Sequence, residues 1–307
     1  MSSQTPNLLV LLPPRAAGLS ARVLAAGATP VIDLSEGGQA PSPWPVGAWV
    51  RVQPGQEPAG QEGVLFTGSA DPVPGRATWL ESKEPMAAPQ GIAGVLLRGR
   101  EAGGFSGERD GLEMLAQQQG AQPDGACVLE AGLGPDTASS AVAMGAVGVL
   151  IREQLYGLPE LLGPHLRAKA LRSGDLSSRV VAGVRVTASS LSPIVRSLAE
   201  GEDPHTLWAN WDSADDDVAK AFPAGQGLAL AAGLVQRHES LEGILRAYKT
   251  AMTHARARAG GASAWTHGGA AGRSLSALRA SNGQAVIATT GGNVGSGVLW
   301  QLAAWEG

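Results

Sequence analysis

Short apolar runs repeat through the first half of the chain and restrict its fold more than any other sequence feature. Several of them are continuous, such as LLVLL, GVLL and GVLI, and do not alternate with polar residues. Continuous apolar runs are typical of strands buried on both faces, as in parallel sheets covered by helices. The eight runs are residues 7–12, 29–33, 48–52, 63–67, 77–80, 92–97, 126–130 and 147–151. Eight parallel strands in succession predict a closed (β/α)8 TIM barrel.

The connections between these runs predict a compact, partly degenerate barrel. Residues 15–26, 108–119 and 136–144 have helical character and lie between neighbouring runs. The segments PGQEPAGQEG and GSADPVPGR, by contrast, consist of turn-forming residues without a helical period. We therefore expect an α/β barrel in residues 1–152 that lacks several outer helices in its first half.

The strand pattern ends after residue 151, and a mostly helical subdomain is predicted for residues 153–258. The clearest helix is 241–258, which has an apolar stripe at i, i+3 and i+4 spacing. Further helices are predicted at 158–171, 190–200, 205–210 and 225–237, and one strand at 180–186. A Gly/Ala-rich segment, 259–307, follows with two strand candidates at 284–289 and 298–303.

Composition excludes several classes of function. No apolar run approaches the roughly 20 residues of a membrane span, and the N-terminus has no positive charge before its first apolar run, which argues against a signal peptide. The one cysteine, Cys127, excludes a disulfide framework and lies in an apolar run, as a buried structural thiol would. A net charge of -4 without a basic stripe argues against nucleic acid. The five histidines show no metal-site spacing. We expect a cytoplasmic protein without a metal site.

Two stretches resemble the nitronate monooxygenase (formerly 2-nitropropane dioxygenase-like) family of flavin barrels. Residues 94–107 read GVLLRGREAGGFSG, and residues 127–151 read CVLEAGLGPDTASSAVAMGAVGVLI. In that family the first motif ends Glu-Ala-Gly-Gly-His and the second contains Ala-Gly-Gly-Ile. The REQL sequence at 152–155 and AFPAGQG at 221–227 are similar to the branch found as domains in bacterial type I polyketide synthases.

The resemblance implies an FMN site at the carboxyl ends of the barrel strands. The residues that match the cofactor-binding positions are Glu101, Ala102, Gly103, Gly104, Ala131, Gly132 and Gly134. Glycines at such strand ends let backbone N–H groups approach a phosphate, and a helix start adds its dipole. Residues 101–104 also fit a simple turn, with Glu101 paired to Arg98 or Arg100.

Three departures from the family pattern concern the same predicted site. Phe105 stands where the family has its catalytic His, so general acid–base chemistry is missing at that position and the catalytic residues are unknown. Glu153 stands beside the predicted phosphate position, where a carboxylate would repel it. Leu133 interrupts the Gly-Gly pair of the second motif.

Two hypotheses follow. The first is an FMN-dependent oxidoreductase acting on an acyl or other small carbonyl substrate, with altered or lost nitronate oxidation. The second is a non-catalytic structural or docking module whose partners are other polyketide synthase domains or subunits. A further possibility is that the tail beyond residue 260 pairs with another chain or domain.

Overall fold

A computed structural model describes residues 7–35, 38–56, 62–172, 178–187, 193–203, 222–260, 263–267, 274–279 and 285–290. The predicted helix 205–210 and strand 298–303 lie outside these residues. Among the helices of the described ranges, none is both long and apolar enough to cross a membrane.

All eight predicted strands form, and they close into a parallel barrel. The strands of this half are β1 (Leu8–Leu12), β2 (Thr29–Asp33), β3 (Trp49–Val52), β4 (Gly63–Thr67), β5 (Ala77–Ser82), β6 (Gly94–Arg98), β7 (Gly104–Phe105), β8 (Cys127–Glu130) and β9 (Gly148–Ile151). Every strand except β7 belongs to the barrel, in chain order, and β9 pairs with β1 to close it. The predicted (β/α)8 architecture is therefore confirmed.

The middle of the barrel is filled by one apolar layer to which every barrel strand contributes. Its members are Leu9, Leu11, Val31, Trp49, Leu65, Trp79, Leu96, Val128 and Leu150. The rings of Trp49 and Trp79 lie 6.4 Å apart, centroid to centroid. Gly63 and Gly94 make room for them, because a Cβ at either position would lie 2.2–2.5 Å from an indole atom. Two small residues thus allow two large ones to fill the interior.

Helices cover the side of the barrel formed by β8, β9 and β1. They include α1 (Ser20–Ala25), α2 (Gly111–Ala121) and α3 (Pro135–Ala143), with a 3-10 turn at Pro14–Leu19 before α1. The long C-terminal helix described below packs against α3 and α1. Cys127 is fully buried on this side, as predicted, and burial raises the pKa of its thiol to about 12.

Loops cover the opposite side, where the described residues between β3 and β6 contain no helix. The outward side chains Val50, Val64, Phe66 and Leu80 are nevertheless buried. Partly buried residues from the connections pack over them, namely Leu34, Trp44, Ala70, Val73, Met86 and Ile92. For the described residues, the prediction that outer helices are missing in the first half of the barrel is confirmed.

Residues after the barrel form helices and a small antiparallel sheet. The helices of the described ranges are α4 (Pro164–Arg172), α5 (Pro193–Ala199), α6 (Leu228–His238) and α7 (Leu241–Gly260), after a 3-10 turn at Glu153–Leu155. The single strand predicted at 180–186 was wrong: Ala182 and Gly183 turn the chain at positive φ, and a hairpin of β10 (Ser178–Val181) and β11 (Val184–Thr187) results. Both β12 (Phe222–Pro223) and β7 pair with β11.

The tail contains a separate three-stranded antiparallel sheet. Its strands are β13 (Ser263–His267), β14 (Ser274–Arg279) and β15 (Ala285–Thr290), in that order. Of these, only β15 matches a strand predicted from the sequence. A tail strand predicted at 284–289 therefore has partners within this chain.

Candidate functional site

Above the apolar layer, at the carboxyl ends of the strands, lies a layer of charged side chains. Side chains two residues apart on a strand point to the same face, so the residue two positions after each apolar interior residue also faces inward. On six strands this residue is charged and buried, and we call these six side chains the charged layer: Asp33, Arg51, Glu81, Arg98, Glu130 and Arg152. It occupies the end of the barrel at which TIM-barrel enzymes place their active sites.

Arg51 is the central cation of the charged layer. Its Nη1 lies 2.9 Å from Asp33 Oδ2, and its Nε lies 2.8 Å from Glu81 Oε2. Burial alone would raise the pKa of Glu81, but Arg51 and Arg98 outweigh it and hold that pKa below its ordinary value. The pKa of Asp33 is likewise lowered against burial by Arg51 and Arg152. Both carboxylates are therefore ionised at neutral pH.

Arg98 and Glu130 form the less well satisfied half of the layer. Arg98 Nη1 lies 3.4 Å from Glu81 Oε1 and 3.3 Å from Glu130 Oε2. Within the described residues, both carboxyl oxygens of Glu130 and the Nε of Arg98 have no hydrogen-bond partner. Burial raises the pKa of Glu130 to about 7, although Arg98 opposes the shift. Glu130 is thus the member of the layer that holds a proton near neutral pH.

The first predicted cofactor loop lies directly beside this layer. Arg98 Nη2 donates to the carbonyl of Gly103, and Ala102 is fully buried. Glu101 Oε2 accepts from the N–H of Gly111 at 3.2 Å, at the start of α2. Burial and the neighbouring Asp110 raise the pKa of Glu101 to about 7. The ion pair expected for Glu101 forms with Arg100, whose Nε lies 3.8 Å from Glu101 Oε1, whereas the described ion pairs of Arg98 are with Glu81 and Glu130.

The two predicted cofactor loops meet, but the segment 224–227 packs between them. A Cβ at Gly103 would lie 2.7 Å from Ala224 Cα, and one at Gly132 would lie 2.7 Å from the nitrogen of Gly227. The N–H of Gln226 donates to the carbonyl of Glu101 at 2.8 Å. These glycines therefore allow three stretches of backbone to approach one another closely.

The rest of the second loop is held by hydrogen bonds within the protein. The N–H of Gly134 donates to Thr137 Oγ1 at 2.9 Å, inside the first turn of α3. The carbonyl of Leu133 accepts from Tyr248 Oη at 2.6 Å and from Gln154 Nε2 at 3.0 Å. Ala131, the first residue of the loop, is buried. The side chain of Gln154 thus links the second cofactor loop to the end of the barrel.

Phe105 lies in β7, at the position where the family has its catalytic His. Its ring packs against the apolar cluster formed by the hairpin and α6, and it is partly buried there. The ammonium of Lys83, just after β5, lies 5.8 Å from the ring centroid. Burial, and then the charge of Arg98, lower the pKa of Lys83. Lys83 therefore places a titratable cation over the ring of Phe105.

An FMN phosphate does not fit this arrangement of the loops. Backbone of 224–227 fills the space beside Gly132, and Gly227 in turn approaches Glu153, whose Oε1 lies 3.1 Å from the position of a Cβ there. Glu153 is buried, and burial raises the pKa of its carboxyl. A phosphate needs several free donors, whereas the N–H groups of Gln226 and Gly134 already donate within the protein.

Comparison with solved structures identifies the fold. FabK from Thermotoga maritima is similar with a TM-score of 0.58 and 16% sequence identity, over 82% of this chain and 96% of that chain. A nitroalkane oxidase from Streptomyces ansochromogenes is similar with a TM-score of 0.54 and 17% identity, over 83% of this chain and 99% of that one. The chain shares the fold of both. No protein-family model matches the sequence, and no curated protein is significantly similar to it.

The charged layer was not predicted from the sequence, although a pattern for it exists. A single charged residue follows an apolar residue by two positions at the end of several runs, as in VID, WVR and WLE. In a strand of a parallel barrel that spacing points the charge into the interior. Opposite charges on neighbouring strands, such as Asp33 and Arg51, would have indicated that these charges pair.

Proposed function

We propose that this chain is a nitronate monooxygenase-like barrel domain that no longer oxidises nitronates and serves a polyketide- or fatty-acid-type assembly line as a non-catalytic module. The observation that carries the proposal is the charged layer. Its arginines and carboxylates bind one another at the end of the barrel where substrates bind in related folds.

The groups near this layer do not supply the chemistry of a nitronate oxidase. The family's proton-transferring His is replaced by Phe105, which has no titratable proton. Glu101 and Glu130 hold protons near pH 7 but are buried within the protein's own contacts. We infer that these carboxyls are held inside the fold and are not positioned to meet a substrate.

The association with an assembly line rests on the resemblance of two stretches, 152–155 and 221–227. Gln154, which follows the last barrel strand, donates a hydrogen bond to the carbonyl of Leu133 in the second cofactor loop. The segment 224–227 packs onto both predicted cofactor loops. Both stretches therefore make contacts within the protein itself. A module of this kind would act through its outer surface, by contacting neighbouring synthase domains or subunits.

A second candidate is an FMN-dependent oxidoreductase acting on an acyl or other small carbonyl substrate. It is favoured by the convergence of Gly103, Gly132 and Gly225 at the carboxyl ends of the barrel strands, in a fold shared with FabK and a nitroalkane oxidase. For FMN to bind, residues 224–227 would have to move away from the other two loops.

Addition of FMN to the purified chain separates the two candidates. We expect a colourless protein that does not quench added FMN fluorescence, with a known flavin barrel reconstituted in parallel as the positive control. A yellow preparation, or saturable uptake of FMN, would overturn the non-catalytic proposal. In that event Gly132→Val should abolish uptake, because its side chain would enter the shared loop space, whereas Gly120→Ala, with open space around its Cβ, should leave uptake unchanged.

A further inference from the structure

A groove of about 510 Å³ lies on the outside of the barrel, between the end of α1 and the polar face of α7. We call it the α1–α7 groove; its lining residues are Ala25, Ala26, Glu242, Arg246, Lys249, Thr250, Thr253 and His254. Small-molecule sites have volumes of about 300–1,000 Å³, so the groove is of a size that accommodates a small ligand. It takes no part in the contacts of the barrel mouth.

The two ends of the groove differ in charge. Glu242 lies at one end, where Arg22 binds both of its carboxyl oxygens at 2.6 Å and 2.9 Å. These hydrogen bonds lower the pKa of Glu242 to about 2, so the carboxylate is ionised and neutralised by its partner. The other end, from Arg246 to His254, contains no carboxylate among its lining residues.

Several hydrogen-bond donors at the basic end are unused. Within the part of the chain that the structure describes, the side chains of Arg246, Thr250, Thr253 and His254 have no hydrogen-bond or ion-pair partner. Lys249 donates to the carbonyl of Ala26 at 3.1 Å and so offsets the negative end of α1. Because residues three, four and seven apart share one face of a helix, these donors converge on the same groove.

We propose that the α1–α7 groove binds a small phosphate-bearing ligand. Arg246 and His254 lie about 12 Å apart along the helix axis, so the donors between them suit a ligand with several strong acceptor oxygens, such as a phosphate-bearing one, better than the two oxygens of one carboxylate. Arg246 provides the charge-assisted contact, since a guanidinium binds phosphate with two parallel N–H groups. The proposal is independent of the barrel mouth and of whether the chain binds FMN.

Calorimetric titration of the full chain with inorganic pyrophosphate and with a glycerol phosphate tests the site at constant ionic strength. We expect saturable one-to-one binding and, in Arg246→Ala, a loss of affinity of roughly tenfold or more, because a hydrogen bond to a charged group is removed. Thr253→Val should weaken binding to a smaller extent. The matched control is Arg237→Ala, since Arg237 is an exposed arginine on α6 that donates to Gly233 within its own helix.

Several outcomes would overturn the site. Absence of saturable binding would do so, as would an equal effect of Arg246→Ala and Arg237→Ala, which would indicate a general ionic attraction. Citrate binding as tightly as pyrophosphate would show selection for charge and not for phosphate. Arg246 is exposed, so a circular dichroism spectrum and an unfolding curve should match those of the unmodified chain. Binding of pyrophosphate alone would indicate a free polyphosphate ligand, and binding of both probes an organic phosphate.

Discussion

The apolar layer and the charged layer inside the barrel fill the same cross-section by different physical means. In the apolar layer, two tryptophans fit against two glycines, and burial itself supplies the stabilisation. In the charged layer, arginines are removed from water and stabilised mainly by neighbouring carboxylates. The apolar layer tolerates exchange for another apolar residue of similar volume but not a change of volume, whereas the charged layer tolerates neither the loss of a partner nor an added uncompensated charge.

Arg51→Met should give the largest effect, because it leaves Asp33 and Glu81 buried without their main cation. Removing one partner of a buried ion pair lowers the free energy of unfolding by about 3–5 kcal/mol. Urea unfolding of the variant measures this loss. Arg22→Met is the control, since Arg22 forms its ion pairs with 39% of its side chain exposed, and exposed pairs contribute about 0–1 kcal/mol. Equal losses in the two variants would show that the charged layer is no more than a set of surface-type pairs.

Leu96→Ala tests the apolar layer directly. Leu96 is fully buried inside the barrel, and replacing a core leucine by alanine costs about 2–5 kcal/mol through lost burial and the cavity left behind. The same urea experiment applies, with Leu24→Ala as the control at an exposed position. A loss below about 1 kcal/mol would contradict close packing in this layer, because it would mean that the barrel collapses around the gap.

Gly63→Ala adds an atom to the same layer and should cost about 1–3 kcal/mol, as overpacking of a core does. The new Cβ would lie 2.2 Å from an atom of the Trp49 ring. In Gly120→Ala, by contrast, the new methyl group on α2 has open space, and stability should rise by about 0.5–1 kcal/mol. Thermal unfolding of the two variants should therefore shift in opposite directions; a shift in the same direction would refute the tight fit at Trp49.

Glu130→Gln should give the smallest effect near pH 4.5, where the buried carboxyl is protonated and Gln resembles it, and its effect should change with pH. The folded state raises the pKa of Glu130 from 4.5 to about 7, so the folded protein binds more protons than the unfolded chain between these values. Its contribution to stability is then present below 4.5 and is lost as the pH rises through about 7.

The measurement is the free energy of unfolding from about pH 4.5 to about pH 8. The loss seen in the unmodified chain should be smaller in Glu130→Gln, with Glu113→Gln, which lies on the exposed face of α2, as the control. Glu101 shifts in the same direction, so part of the slope should persist. Identical slopes in all three proteins would show that Glu130 is ionised in the folded state.

Much of the barrel could be predicted from the sequence because continuous apolar runs have few alternatives. The eight runs are strands, and the turn-rich connections after Val52 and Thr67 indeed lack helices in the described residues. The hairpin at β10 and β11 was missed because a positive φ at Ala182, which is not a glycine, has no clear sequence pattern. Likewise β7 forms only because β11, about 80 residues away, pairs with it.

The candidate site was harder to predict for a related reason. The matches at Gly103 and Gly132 lie where the resemblance implies, beside the barrel mouth, and whether these residues bind a cofactor stays a prediction. In a sequence, a glycine that leaves room for a phosphate cannot be distinguished from a glycine that leaves room for another loop. Which of the two applies depends on residues 224–227, which lie far away along the chain and against Gly132 in space.

The buried thiol of Cys127 allows the opening of the barrel to be measured by chemical labelling. It is the single cysteine of the chain, it has no exposed surface, and its thiol is held in the unreactive protonated form. A thiol reagent can modify it only when the covering helices move away from β8, so the rate of labelling reports how often this side of the barrel opens. The labelling rates of variants in the apolar layer and in the charged layer can therefore be compared at the Sγ of Cys127, which belongs to neither layer.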